Sequence, residues 1–212
     1  MIYRTPFFFP WLYPQLIWRI PVEEKIIYLT FDDGPVPGPT EFVLDTLNKF
    51  NIKATFFCIG DNVRKHPDIF NRILNEGHLA ANHTFNHLKG WSTGLSTYVQ
   101  NVKQCEEELR LHNTGRSIKN KLFRPPYGRI SRSQMKELND YSIIMWDVLT
   151  QDYNKMISPS NCLTHSIKAT RPGSIVVFHD SIKAERNMNF ALPQYISHFL
   201  DKGFTFGVLP NG

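Results

Sequence analysis

The chain has 212 residues, 42% hydrophobic, 13% aromatic and 20% charged, which excludes a disordered or fibrous chain and describes a globular one. One domain is the default at this length, and folding would hide roughly 70% of the unfolded chain's surface. Lys+Arg 24 against Asp+Glu 19 gives a net charge of +5; without a basic block this excludes a nucleic-acid-binding tail, but it suits an anionic cell-envelope polymer or a membrane surface.

In chain order, residues 1–24 form an aromatic N-terminal segment. Pro6 to Ile20 (PFFFPWLYPQLIWRI) is apolar, yet Pro6, Pro10 and Pro14 break a helix and the run is too short to span a bilayer. No transmembrane span is therefore expected. No apolar signal core with a small-residue cleavage site is visible either, which predicts a cytoplasmic protein. The segment reads as a strap packed across the base of the domain. Contact with a membrane surface through Trp11, Tyr13 and Trp18 beside Arg4 and Arg19 is the second reading. Cys58, Cys105 and Cys162 lack both the number and the spacing of a disulfide framework or a zinc knuckle, and read as core cysteines.

From Lys25 onward short apolar runs alternate with helical patterns. Strands are expected at Lys25–Thr30, Ala54–Gly60, His78–Asn82, Leu122–Arg124, Ile143–Val148, Ser174–Phe178 and Phe204–Val208. Between them, Val43, Leu44, Leu47 and Phe50 share a helix face after Thr40, read as an N-cap. A helix starting at Pro67 stops at Gly77, and a longer one carries Val99, Val102 and Leu109 with Gly115 beyond its end. Ser131–Asp140, Pro159–Thr170 and Tyr195–Leu200 complete the set. Repeated strand–helix units predict an α/β fold with a largely parallel sheet, and about seven strands favour a barrel, closed or incomplete, over an open sheet. No linker or repeat marks a second domain.

Polar residues cluster where these strands end, the place where the loops of a parallel barrel converge on one mouth. Thr30-Phe31-Asp32-Asp33-Gly34 follows KIIYL; the paired acids are either a simple turn or one cation ligand with a free base beside it. His83-Thr84-Phe85-Asn86-His87 places two imidazoles at i and i+4, which share a face if the turn is helical. With Asp33 they make a two-histidine, one-carboxylate site with positions left for water and substrate. No glutamate stands inside this HxxxH, so the base must come from elsewhere, and Asp32 is the nearest offer. Arg124-Pro125-Pro126-Tyr127-Gly128 is a stiff loop able to aim the Tyr127 N–H at an oxyanion, or else a structural turn with a surface arginine. Trp146-Asp147 through Asp152-Tyr153 follows another apolar run, and Ser174 to Asp180 delivers His179 to a strand end.

TFDDG, HTFNH, RPPYG, the Asp147/Asp152 segment and VVFHD stand in the order and approximate spacing of the polysaccharide deacetylases with a NodB homology domain (carbohydrate esterase family 4), which the chain resembles from Lys25 to its end. The resemblance implies an irregular (β/α)7-type, NodB-like barrel over residues 25–212. It also implies metal-dependent removal of N- or O-acetyl groups from an acetylated carbohydrate. Position by position, Asp32 resembles the catalytic base, and Asp33, His83 and His87 the metal ligands. Arg124 resembles the residue orienting the base, Tyr127 the oxyanion-binding N–H, His179 the general acid and Asp152 its partner. Tyr153, Val177 and Ala81 depart from the tryptophan, leucine and glycine common at those positions, which bears on substrate fit more than on chemistry.

A nitrogen-rich, redox-free site favours Zn2+ as the divalent ion, although the ligand types also permit cobalt, nickel or iron. The nearest alternative is a deacetylase or deformylase of a small or lipid-linked sugar. A non-haem iron oxygenase shares the ligand set but has no use for a poised acid and base, and a silent carbohydrate-binding protein would be expected to have lost one of them. Lys183, Glu185 and Arg186, just beyond His179, either line the pocket or are solvated, with solvation the first reading. Nothing in the sequence sets an oligomeric state.

Overall fold

Side chains of a strand point alternately to its two faces, and in the first strand, β1 (Ile26–Asp32), that alternation already divides core from site. Ile27, Leu29 and Phe31 join the core beneath the helices, Tyr28 joins a cluster on the opposite face, and Thr30 and Asp32 share that face by the same period. The computed structural model describes residues 3–112 and 121–210; Gly115, the expected helix end, lies outside them.

The further strands are β2 (Thr55–Cys58), β3 (Leu79–Asn82), β4 (Lys121–Phe123), β5 (Tyr141–Ile143), β6 (Val148–Leu149), β7 (Ile175–His179) and β8 (Thr205–Phe206). They pair in parallel in the order β5-β4-β3-β2-β1-β7-β6, with β8 beside β1. Outside lie α2 (Pro39–Lys49), α3 (Gly60–Lys65), α4 (Pro67–Asn75), α5 (Leu95–His112), α6 (Arg132–Glu137), α7 (Pro159–Ala169) and α8 (Glu185–Asp201), after a short α1 (Phe9–Leu12). This is the irregular (β/α)7-type, NodB-like barrel expected, open between β5 and β6. All three cysteines are free and buried, and among the described residues no helix is long and apolar enough to cross a membrane.

Several elements differ from the sequence expectation for physical reasons. Ile143–Val148 is not one strand. Ile144 donates its N–H to Phe123 on one sheet edge (2.8 Å) while Asp147 donates to Ile175 on the other (3.0 Å), so the chain crosses the gap. Ile144 and Met145 are buried there by filling the seam, which gives the run a buried strand's composition. Thr40 does not cap α2. Gly38 does, with the Glu41 carboxylate accepting its N–H, while Thr40 sits inside the helix. The last helix begins ten residues before Tyr195 and carries Pro193 within it. In the N-terminal segment Pro10 lies in the first turn of α1, where proline is tolerated, so a helix forms despite the prolines.

That segment runs along the open seam rather than only across the base. Ile17 donates to the Ile143 carbonyl (2.9 Å) and accepts from Met145 (2.7 Å); Thr5 donates to Asp147 (2.8 Å) and Leu149 donates to Tyr3 (2.9 Å). Its Leu16 and Trp18 are buried with Tyr98, Phe123 and Tyr141. The main core lies between sheet and helices, where Phe31 stacks against Phe56 (5.1 Å) and Phe178 (6.2 Å). Phe31→Ala is expected to cost about 4 kcal/mol in denaturant unfolding, whereas Trp11→Ala, at an 81% exposed position, should stay within about 0.5 kcal/mol.

Candidate active site

Asp32 and His179 are register partners at the carboxyl ends of β1 and β7, so the pleat that buries Phe31 and Phe178 turns both polar groups to the inner face. They share a cavity of about 470 Å3 with Asp33, His83, His87, Tyr127 and Tyr153. β3 ends just before His83 and β4 just before Arg124, which brings the second and third motifs to the same mouth.

Asp33 leaves the strand with φ 88°, so its side chain departs from that of Asp32. The Asn62 amide donates to its carbonyl (2.8 Å). The HxxxH loop is not helical. Thr84 (φ 64°) and His87 (φ 55°) both adopt left-handed backbone, and the Asn101 Oδ1 accepts the N–H groups of Phe85 (2.9 Å) and Asn86 (3.0 Å). That turn brings the two imidazole centroids to 5.1 Å. One donor atom each from Asp33, His83 and His87 lie within 4.8 Å of one another. The Asp33 Oδ1 stands 3.2 Å from His87 Nε2 and 3.8 Å from His83 Nε2, yet it is buried with no hydrogen-bond partner among the described residues. A buried carboxylate oxygen that accepts no hydrogen bond is costly, and a cation between these three groups would satisfy it.

The protonation states agree with a ligand role. Burial would raise the Asp33 carboxyl, but the His87 contact and the neighbouring His179 and His83 rings hold it well below the usual carboxylate range. Burial, against the pull of Asp32, lowers His83 to about 4, so it is neutral at pH 7. Its Nδ1 lies 2.7 Å from the Arg124 carbonyl; as donor to that oxygen, Nδ1 carries the ring proton and leaves the Nε2 lone pair toward Asp33.

Arg124 is no surface arginine; it is fully buried. It donates to Asp32 Oδ1 (2.7 Å), Thr30 Oγ1 (2.7 Å) and the Met145 (2.9 Å) and Ile144 (3.3 Å) carbonyls, and lies over the Phe57 ring at 4.0 Å. Across the cavity Asp152 accepts from the His179 backbone N–H (2.7 Å) and pairs with its Nδ1 (2.7 Å). Burial would lower the His179 imidazole, but the charge and hydrogen bond of Asp152, helped by Asp33 and Asp32, raise it to about 9. Tyr127 (φ 61°) borders the site and stacks obliquely on His87 at 4.8 Å. All eight residues singled out in the sequence thus surround or brace one cavity.

The polysaccharide deacetylase family model matches residues 19–146. The chain is 34% identical over 194 residues to a peptidoglycan-N-acetylglucosamine deacetylase of Bacillus cereus, covering 90% of this chain and 69% of that one. It is 33% identical over 188 residues to the peptidoglycan-N-acetylmuramic acid deacetylase PdaA of Bacillus subtilis, covering 87% and 70%. The crystal structure of the Bc1960 peptidoglycan N-acetylglucosamine deacetylase, solved with 4-naphthalen-1-yl-N-hydroxybenzamide, superposes with a TM-score of 0.87 at 33% identity, covering 97% of this chain and 95% of that one. The chain belongs to the polysaccharide deacetylase family. It is a hydrolase that removes acetyl groups from carbohydrate.

Within this deacetylase site the sequence reading assigned no role to Arg129 or Asp180, and it ranked solvation above pocket lining for Lys183. Lys183 is not merely solvated; it borders the cavity with Arg129, and its Nζ lies 5.3 Å from the Tyr153 ring centre. Asp147, part of the fourth motif, faces away from the cavity and pairs with Arg171 (3.0 Å) and Ser174 (2.6 Å). Asp180 is fully buried behind the metal-ligand turn, accepting the Gly34 N–H (3.0 Å) and the Thr40 hydroxyl (2.7 Å). Burial and the nearby Asp33 charge, opposed by these hydrogen bonds, raise its pKa to about 8. Its adjacency to His179 was the available signal, but no sequence period links it to Gly34, which is 146 residues away. A Cβ on Gly34 would lie 1.9 Å from the Asp180 Oδ2, so only glycine admits this clasp. Gly34→Ala is therefore expected to displace the Asp33 turn and weaken divalent-cation binding at least tenfold by calorimetry, with the far-ultraviolet spectrum unchanged.

Proposed function

We propose that the chain hydrolyses the N-acetyl groups of peptidoglycan amino sugars, with zinc held by Asp33, His83 and His87. The observation that carries this reading is the unshared Asp33 Oδ1 facing two imidazoles, in one cavity with an acid and an imidazole on neighbouring strands. The peptidoglycan substrate is supported by the names and lengths of the relatives matched. Two nitrogens and one oxygen, with no redox-active sulfur, suit zinc.

When bound, a divalent ion acts as a Lewis acid toward the acetyl carbonyl and makes water a stronger acid. Asp32, oriented by its hydrogen bond from Arg124, takes the proton of the attacking water. The Tyr127 backbone N–H donates to the oxyanion that develops on the former carbonyl. His179, charged at neutral pH through Asp152, gives its proton to the departing amine, and acetate and a free amino sugar result. Val177, Leu149 and Trp146 supply the apolar lining beside His179, where the acetyl methyl group would lie.

Acetate release from peptidoglycan, N-acetylglucosamine oligomers, N-acetylglucosamine itself and acetylated xylan tests the substrate. Release from peptidoglycan is expected to stop with chelator and return with zinc; release confined to the free monosaccharide, or unaffected by chelator, contradicts the proposal. Asp32→Asn should retain zinc and lose about 10^3-fold in kcat, the scale of a lost general base, whereas His83→Ala should lose both metal and turnover. Because His179 must be protonated to act, activity should fall as pH rises through about 9. Asp152→Asn, which removes the main raising influence, should move that alkaline limb down by at least about one unit; an unmoved limb would assign it to another group.

A further inference from the structure

The N-terminal strap buries one side and leaves the other in water. Leu16 and Trp18 are buried, and Phe9 meets Trp18 edge to face at 5.6 Å. Phe7, by contrast, is 91% exposed and Trp11 81%, with Phe8 and Leu12 exposed beside them. Such a run of large apolar side chains marks a binding surface rather than scattered exposure. The tip they form is held in place. Before it, Thr5 donates to Asp147 (2.8 Å) and Leu149 donates to Tyr3 (2.9 Å); after it, Ile17 donates to Ile143 (2.9 Å). Pro6, Pro10 and Pro14 restrict the backbone between these anchors, so the rings are presented at a fixed place.

Charge around the tip is of one sign. The sequence has no Asp or Glu from Met1 to Val22, and none from Tyr153 to His179. The fold lays these two acid-free stretches side by side. Tyr3 stacks on His165 at 4.9 Å, and Ile20 donates its N–H to Gly173 (3.0 Å). Arg4 donates to the Ala169 (2.6 Å) and Lys168 (3.3 Å) carbonyls, and Arg19 to that of Pro172 (2.9 Å). Carbonyls leave those two charges unneutralised, and Lys168 and Arg171 are exposed next to them. Of these four cations only Arg171 meets a carboxylate among the described residues, that of the buried Asp147 (3.0 Å). Phe7, Arg19 and Arg171 line one groove with Pro10 and Pro14, so the apolar tip and its basic border form a single face. The cations are scattered along the sequence and gather only because the strap lies along α7 and the loop before β7.

We infer that this face docks the protein on an anionic phospholipid bilayer. Phe7, Phe8, Trp11 and Leu12 enter the boundary between headgroups and acyl chains, and Arg4, Arg19, Lys168 and Arg171 lie among the lipid phosphates. Aromatic rings are favoured at that depth, and every basic residue near an anionic surface strengthens the attachment. Other occupants fit less well. A soluble polyanion would satisfy the cations but leave the four apolar side chains in water. A second copy of the chain, seated face to face, would bring its own unneutralised cations against these. The docking belongs to the strap and α7 and does not depend on the chemistry of the metal-site cavity.

The test is flotation of the full chain with vesicles of phosphatidylcholine alone or with about one third phosphatidylglycerol, in about 0.1 M and about 1 M salt. The native chain should float with the anionic vesicles and bind the neutral ones about tenfold more weakly. It should lose most of that binding at the higher salt, where screening acts within about 3 Å. Trp11→Ala should weaken the partition about threefold or more, and Lys168→Gln about fivefold, the scale of one basic residue at an anionic surface. Both side chains are exposed, so both variants should keep the native unfolding midpoint. A native chain that stays in the buffer, or floats equally with neutral vesicles, overturns the inference. So does flotation that neither variant weakens. A native dimer in sedimentation that Trp11→Ala dissociates would give the face to a second copy and overturn the inference as well.

Discussion

Arg124 reaches across the interior of the sheet to Asp32, and most of the site hangs on that contact. The guanidinium is fully buried, so it must be satisfied by protein. Asp32, Thr30 and the carbonyls of Ile144 and Met145 take its donors, while Phe57 covers its face. Removing one partner of such a pair costs about 3–5 kcal/mol, because the other charge is then stranded out of water. Two of its acceptors come from the segment that crosses the open seam, and the N-terminal strap pins that segment through Ile17 and Thr5. The aromatic head, the seam and the proposed base thus form one mechanical chain, from sequence ends far apart.

The same economy explains how neighbouring acids take different tasks. Asp32 stays in the strand, faces inward and meets Arg124. Asp33 turns out of it at positive φ, with Gly34 clasped to Asp180 behind it, and meets the imidazoles instead. Two histidines are divided likewise. His83, desolvated and braced on a backbone carbonyl, is lowered to about 4 and kept neutral, as the proposed metal ligand must be. His179, backed by a carboxylate, is raised to about 9 and kept charged, as the proposed proton donor must be. Environment rather than residue type separates the roles.

Much of this was legible before the structure because parallel strands end in one plane: apolar runs ending in Asp32, Arg124 and His179 point to a shared mouth without knowledge of the sheet order. The HxxxH spacing named the pair that the structure brings beside Asp33, but for a helical reason that does not hold; left-handed Thr84 and His87, held by Asn101, bring the rings together, and no local pattern announces them. Three features escaped because they depend on distant partners. Asp180 finds Gly34 across 146 residues, Lys183 meets Tyr153 across a loop, and Ile144–Asp147 is apolar because it fills a gap closed by the strap. Sequence periodicity reports which face is buried, but not what buries it.

A crystal structure of the zinc-loaded protein, with anomalous data collected at the zinc edge, addresses the arrangement of charges most directly. The expected map has a single strong peak bonded to the Asp33 carboxylate and to Nε2 of His83 and of His87, with Asp32 still turned to Arg124 and unbonded to the ion. A peak coordinated by Asp32 in place of Asp33, or one lying away from both imidazoles, would contradict it.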